Sequence, residues 1–225
     1  MNRKIRKLVA LMAGVTVCGV VAEQAQAISL NFGNTPGGQI SFDGANHFDF
    51  LPGGVAGGGN NSFRITGSSG GATTIGDFGT MTGPAGGWTF SPITGTVTGA
   101  GTLDIEDTFG AHLTASLSFI KLDVNGPGTG GQFNQSLGLS LTGILYSGID
   151  PDLAALATAG TAIETLSFTF PTLGHSLSNL GSVAQKTSFS GSLISVTPPA
   201  PDGGATMALL GFALLTVEGL RRKLS

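Results

Sequence analysis

The sequence predicts an all-β protein: an antiparallel β-sandwich of the jelly-roll kind, with an N-terminal signal helix and a C-terminal transmembrane helix set outside it. Three observations carry this reading. Apolar residues alternate with Ser and Thr at a period of two through most of the chain. Glycine-rich turn signals recur about every ten residues, the spacing of many short strands. Two apolar segments flanked by cations stand at the extremes of the 225-residue chain.

The alternation is clearest at Leu113, Ala115, Leu117 and Phe119, interleaved with Thr114, Ser116 and Ser118. Leu137, Leu139 and Leu141 repeat it, as do Phe189 and Leu193. One face is apolar and the other hydroxylic, as in half-buried antiparallel strands. Strands are expected over 28–32, 39–42, 47–51, 62–66, 73–78, 87–90, 94–106, 111–124, 136–146, 162–170 and 187–196. Phe109-Gly110 marks a hairpin between two long strands. The stretches 53–61, 67–72, 83–87 and 126–131 are glycine-rich loops. One helix is expected, over 150–158, with Asp150 as N-cap and Pro151 as first residue. A β-solenoid would need a strict repeat, and none is found.

Composition supports a folded, exported body. There are 38 glycines and only 10% charged residues, against about 25% in ordinary domains. Disordered chains pair low hydrophobicity with high charge, which does not describe this one. Between 28 and 199 the cations are Arg64, Lys121 and Lys186, against ten carboxylates. The body is thus acidic, which argues against nucleic acid as a partner. The single cysteine, Cys18, lies in the N-terminal apolar segment, so the mature body has no thiol chemistry.

Residues 1–27 read as a signal peptide: Arg3, Lys4, Arg6 and Lys7, then an apolar run over 8–22, then Ala25-Gln26-Ala27. Ala25 and Ala27 form the small-x-small signal-peptidase site, with the cut after Ala27. The β-sandwich ectodomain then occupies 28–196. A Pro/Gly linker and box follow over 197–204, and an apolar helix with a basic tail over 205–225. A helix over 205–220 would be about 24 Å long, short of the ~30 Å hydrocarbon layer. Its terminal Arg221, Arg222 and Lys223 favour the cytoplasmic side.

The order Pro201-Asp202-Gly203-Gly204, short apolar helix, Arg221-Arg222-Lys223 resembles a PEP-CTERM sorting tail in its Val-Pro-Asp variant, with Ala200 in the usual Val position and Glu218 interrupting the span. The resemblance is limited to that tail. It implies an exosortase, a membrane-embedded cysteine transpeptidase, as processing partner. It implies Pro201, Asp202, Gly203 and Gly204 as the sorting box and Arg221, Arg222 and Lys223 as the basic retention signal. It also implies transient inner-membrane anchoring, then the cell surface or an extracellular matrix, often one containing exopolysaccharide.

The body itself offers no recognisable catalytic constellation. Gly67-Ser68-Ser69-Gly70-Gly71 fits G-x-S-x-G but lacks the helix a nucleophile elbow requires. Gly126, Gly128 and Gly131 fit G-x-G-x-x-G, but strand, not helix, follows. His47, His112 and His175 lack metal-ligand spacing. Glu106 with Asp107, and Asp123 with Asn125, are candidate calcium ligands at hairpin ends. No other cofactor is expected. Trp88 and Tyr146 are the only rings of the kind sugars stack on outside the phenylalanines. The expectation is a non-enzymatic structural or interaction protein of the cell surface. The alternative is a carbohydrate- or calcium-binding module with the same targeting.

Overall fold

The computed structural model describes residues 27–53, 60–127, 133–170 and 176–196, with only the backbone described at 125–127 and 133–136. These residues belong to one compact unit, Ala27–Val196. The segment through Gln26, expected to be a signal peptide, and the residues beyond Val196 lie outside them. No helix among the described residues is long and apolar enough to cross a membrane, and the expected span over 205–225 is not among those residues.

Among the described residues thirteen strands and two helices follow one another: β1 Ser29–Asn34, β2 Gln39–Asp43, β3 His47–Leu51, β4 Phe63–Ser68, β5 Phe78–Thr82, β6 Trp88–Phe90, β7 Val97–Thr98, β8 Ala100–Glu106, β9 His112–Pro127, β10 Phe133–Tyr146, α1 Pro151–Ala159, β11 Thr161–Phe170, α2 Leu177–Ser182, β12 Ala184–Thr187 and β13 Phe189–Ser195. Every named pairing is antiparallel.

The all-β antiparallel expectation holds, but the jelly-roll sandwich does not describe the architecture. Eight strands close into a barrel in the order β1-β13-β11-β10-β9-β8-β5-β4, and a separate sheet runs β12-β2-β3-β6-β7. Closure needs strongly coiled strands. The long β9 and β10 supply them through register shifts at Gly138/Leu139 and Thr142/Leu145, and β1 shifts against β4 at Asn31/Phe32. Such bulges bend a strand and raise its twist.

Alternation sends Leu30, Phe32, Ile65, Leu103, Leu117, Leu139 and Leu166 into the barrel, all buried. The register sets both chain ends of the unit at one barrel end, with the start of β9 and the close of β10. Helix α1 crosses that end. Its Leu153 and Leu156 are fully buried, and its first turn is tied to Ser68 and Thr74 on the β4 side. Asp150 caps it by accepting from the amides of Asp152 and Leu153, and Pro151 follows, as the sequence predicts. Gly160 ends it at φ 72°, a left-handed cap that favours glycine.

The aromatic face of the second sheet meets the other end. Phe42 packs on Phe168 and Phe170, Phe48 on Phe119, and Phe50 on Phe119 and Phe189. The barrel is thus filled and covered at both ends rather than open as a channel.

Several boundaries differ from expectation. Residues 73–76 form turns rather than strand, and pairing begins at Phe78. The run 94–106 breaks at Gly99, whose φ of 113° no strand residue with a side chain readily adopts. Helix α2 was not legible, being short and poor in apolar periodicity.

Candidate functional site

Two regions of the body concentrate polar groups, and they differ in what they can do.

The first lies at the α1 end and is built from buried acids. Asp107 follows β8, where alternation turns it inward, and it is 5% exposed. Its Oδ1 accepts from the amides of Phe109 and Ala111, both at 2.8 Å, and its Oδ2 accepts from the Tyr146 hydroxyl at 2.5 Å. Burial works against its charge, but these bonds outweigh it and hold the carboxyl below its usual value. The same pairing and burial push the Tyr146 hydroxyl up to about 12. That oxygen in turn accepts from the Asp150 amide at 2.9 Å. Thr74 Oγ1 lies 3.0 Å from both Asp150 Oδ1 and Asp152 Oδ2, and its single proton serves one at a time. Ser68 Oγ donates to Asp152.

Asp77 and Glu164 are different in kind. Asp77 is 2% exposed, and neither of its oxygens has a hydrogen-bond partner of good geometry. Its carboxyl is pushed up to about 7, first by burial and then by the nearby charges of Asp150 and Asp107, with the Thr108 amide opposing. Glu164 points into the barrel in phase with Ala162, Leu166 and Phe168. It stands between Leu139 of β10 and Leu193 of β13 in register. Both its oxygens lack partners, and burial holds its carboxyl well above the usual value. Chemically this region ties loops together. Among the described residues no group of three or more His, Cys, Asp or Glu converges as metal ligands.

The second region is the outer face of β1, β13 and β11. Ser190 sits between Gly33 and Ser167 in register, and Ser192 between Asn31 and Thr165. Strand spacing places neighbours about 4.8 Å apart across the sheet and about 6.7 Å apart along it. Asn31, Thr165, Ser167, Ser190 and Ser192, with Thr66 from β4, line a shallow trough of about 410 Å³. A second trough of about 290 Å³, lined in part by Asn34, Thr187 and Ser188, shares Ser167 and Ser190 with it. The two linings offer hydroxyls and the side-chain amides of Asn31 and Asn34, with no charged side chain among them.

The expected site residues divide clearly. Ala25, the box Pro201, Asp202, Gly203 and Gly204, and the cluster Arg221, Arg222 and Lys223 lie outside the described residues, and Ala27 begins them. The calcium candidates are not brought together. Glu106 is exposed and Asp107 buried, on opposite sides of their strand, and Asp123 is paired with Lys121 at 2.5 Å. Asp123 and Asp107 lie towards opposite ends of β9, and the Asn125 side chain is outside the description.

His47 and His112 bind Asp43 and Asp104 separately, at 2.9 and 2.7 Å, and His175 is outside the description. The central serine of the G-x-S-x-G match, Ser69, accepts from the Ser29 amide through its Oγ, and turns follow instead of a helix. The G-x-G-x-x-G match falls partly outside the described residues; Gly126 lies in β9. Trp88 is fully buried and stacked on Phe48 at 5.6 Å, so its ring is not available for sugar stacking, while Tyr146 is half-buried with its hydroxyl tied to Asp107.

Sequence reasoning missed the buried Glu164 although its phase among Ala162, Leu166 and Phe168 announced it. It also missed the hydroxyl trough, because the adjacency of β1, β13 and β11 is a tertiary fact.

Comparison with curated proteins and with solved structures gave no match. A family model described as the VPDSG-CTERM motif matches residues 201–224. This chain therefore carries, at 201–224, a PEP-CTERM-like C-terminal sorting tail, the kind of tail that implies processing by an exosortase-like enzyme.

Proposed function

We propose that the chain is an exported protein delivered to the cell surface or extracellular matrix by an exosortase-like transpeptidase, and that its barrel serves a structural or interaction role without catalysis. The observation that carries this reading is the match of 201–224 to a sorting motif. It is supported by the signal-peptide pattern of 1–27 and by the Pro-rich run Thr197–Pro201 that separates barrel from box. Proline disfavours helix and sheet pairing in such a run, which would leave it open to a transpeptidase.

Intact mass of the extracellular protein tests both ends at once. The expected species begins at Ile28 and ends near the box, and Asp202→Ala blocks the C-terminal cut. Recovery of the whole chain from Met1 to Ser225, in cells with an active exosortase, would sink the proposal.

The uncharged trough on β1, β13 and β11 favours a second reading, a module that binds a neutral polysaccharide. Hydroxyls at sheet spacing can exchange hydrogen bonds with successive sugar hydroxyls. Calorimetry with neutral exopolysaccharide should register binding that Ser190→Trp abolishes. Binding unchanged in that variant removes the trough from consideration.

A further inference from the structure

We infer that the α1 end of the barrel is a membrane-contacting surface, held against the lipid bilayer while the sorting tail is embedded. This rests on the tail reading above and extends it to the folded body.

The chain leaves the barrel at one place. Ile28 and Ser195 exchange two hydrogen bonds, Ile28 N–H to Ser195 Oγ at 2.8 Å and Ser195 N–H to the Ile28 carbonyl at 2.9 Å. The segment expected to be a signal peptide ends beside Ile28, and the tail begins after Val196. The described chain therefore both begins and ends at the α1 end. The linker 197–204 reaches at most about 29 Å when fully extended, so this end cannot stand far from the bilayer that holds the tail.

Most of the exposed large apolar side chains lie at the same end, with Ile93, Ile120 and Val183 elsewhere. Phe109, 70% exposed, tips the β8–β9 hairpin, and Ile149, 75% exposed, tips the loop before α1. Tyr146 joins those two loops through Asp107 and the Asp150 amide. Ile75 projects from the turn held to α1 through Thr74. Ile163 and Ile194 are direct cross-strand neighbours on the outer wall, with Val196 following, and all three are exposed.

The acids of this end face the other way. Asp77, Asp107, Asp150 and Asp152 are each no more than 5% exposed. Glu106 and the Asp104–His112 pair stand on the barrel flank. Three loops thus turn their carboxylates in and their large apolar side chains out, where a soluble domain would gain by the reverse. A lipid surface suits this arrangement: apolar side chains enter the headgroup boundary, and no buried charge is moved.

The test uses the full chain with Cys18→Ser and one added cysteine, Phe109→Cys, Ile149→Cys or Ile93→Cys. Ile93 is the control, exposed on the second sheet at the other end. Each variant carries an environment-sensitive dye and is inserted through its tail into phosphatidylethanolamine–phosphatidylglycerol vesicles with brominated acyl chains. The expected result is blue-shifted emission at 109 and 149, quenched at least twofold more than at 93. Equal quenching at all three positions overturns the inference while leaving the tail reading intact. A blue shift at 109 and 149 without bromolipid quenching also overturns it, since a second copy or the tail would then cover that surface. A chain that fails to float with the vesicles overturns the tail reading, and this inference with it.

Discussion

The Tyr146 hydroxyl donates to Asp107 at 2.5 Å across the mouth of the barrel, joining the close of β10 to the β8–β9 hairpin. Through the Asp150 amide the same oxygen also reaches the cap of α1. One side chain therefore aligns the hairpin, the loop and the covering helix.

Tyr146→Phe removes the donor and leaves a buried carboxylate oxygen and an amide unmet. The expected cost is about 1–3 kcal/mol, read by urea unfolding. The variant should also be less stable towards acid. Asp107 is held below its usual value, so its contribution is present above the unfolded-state carboxylate range and lost as pH falls through the folded value. Without Tyr146 that loss moves to higher pH. An acid midpoint identical to the parent's would argue against the role.

Asp77 predicts the opposite slope. Its carboxyl is pushed up to about 7 in the folded protein, well above the ordinary 3.8. Between these values the unfolded chain releases a proton that the folded chain keeps, so stability falls as pH rises and levels off above about 7. Glu164 acts in the same direction. Denaturation at about pH 4.5, 6 and 8 should give a declining series, flattened by Asp77→Asn and further by Asp77→Asn with Glu164→Gln. Glu164→Leu should stabilise by about 1–3 kcal/mol at neutral pH, because an unpaired buried carboxyl is replaced by an apolar side chain of similar size.

Trp88 is the only tryptophan, and it lies between Phe48 and Phe119 with no exposed surface. Its emission should be blue-shifted and resistant to iodide, and Trp88→Ala should cost about 3–5 kcal/mol. Gly101→Ala should disturb the same emission, because a Cβ there would lie 2.4 Å from both the Trp88 ring and the Thr82 carbonyl oxygen. Emission typical of a hydrated indole in the native protein would contradict the packing of the second sheet.

Gly160→Ala isolates backbone conformation from packing. Nothing lies within 4 Å of the added methyl, yet φ is 72°. The expected loss is about 1 kcal/mol, measured as a shift in the denaturation midpoint with an unchanged slope. A neutral substitution would mean that α1 ends differently.

Local chemistry was legible wherever one residue or one short run decided it. Asp150-Pro151 announced the start of α1, and Asp107 to Gly110 announced a turn, closed by Gly110 N–H to the Asp107 carbonyl at 3.0 Å. The alternation around Leu117 and Leu139 announced strands with one buried face. The box and basic end announced the sorting tail, since a short run of sequence carries that motif. The buried Glu164 was half-legible: its phase was on the page, but a carboxylate in an apolar register is ordinarily taken as an exception to the pattern rather than as a core residue.

What the sequence determined by itself was therefore the strand content, the N-cap of α1, the turns, and the C-terminal address, because period, φ preference and hydropathy act over a few residues. Only the tertiary structure decided that the strands close into a barrel rather than stack as a sandwich, that Trp88 is core, and that Ile28 and Val196, the ends of the barrel unit, share a rim with Phe109 and Ile149. An alternating strand buries one face equally well in either architecture. The choice of neighbour is made by long-range pairing and by bulges such as those at Gly138/Leu139 and Thr142/Leu145, whose energies depend on residues far apart in the chain.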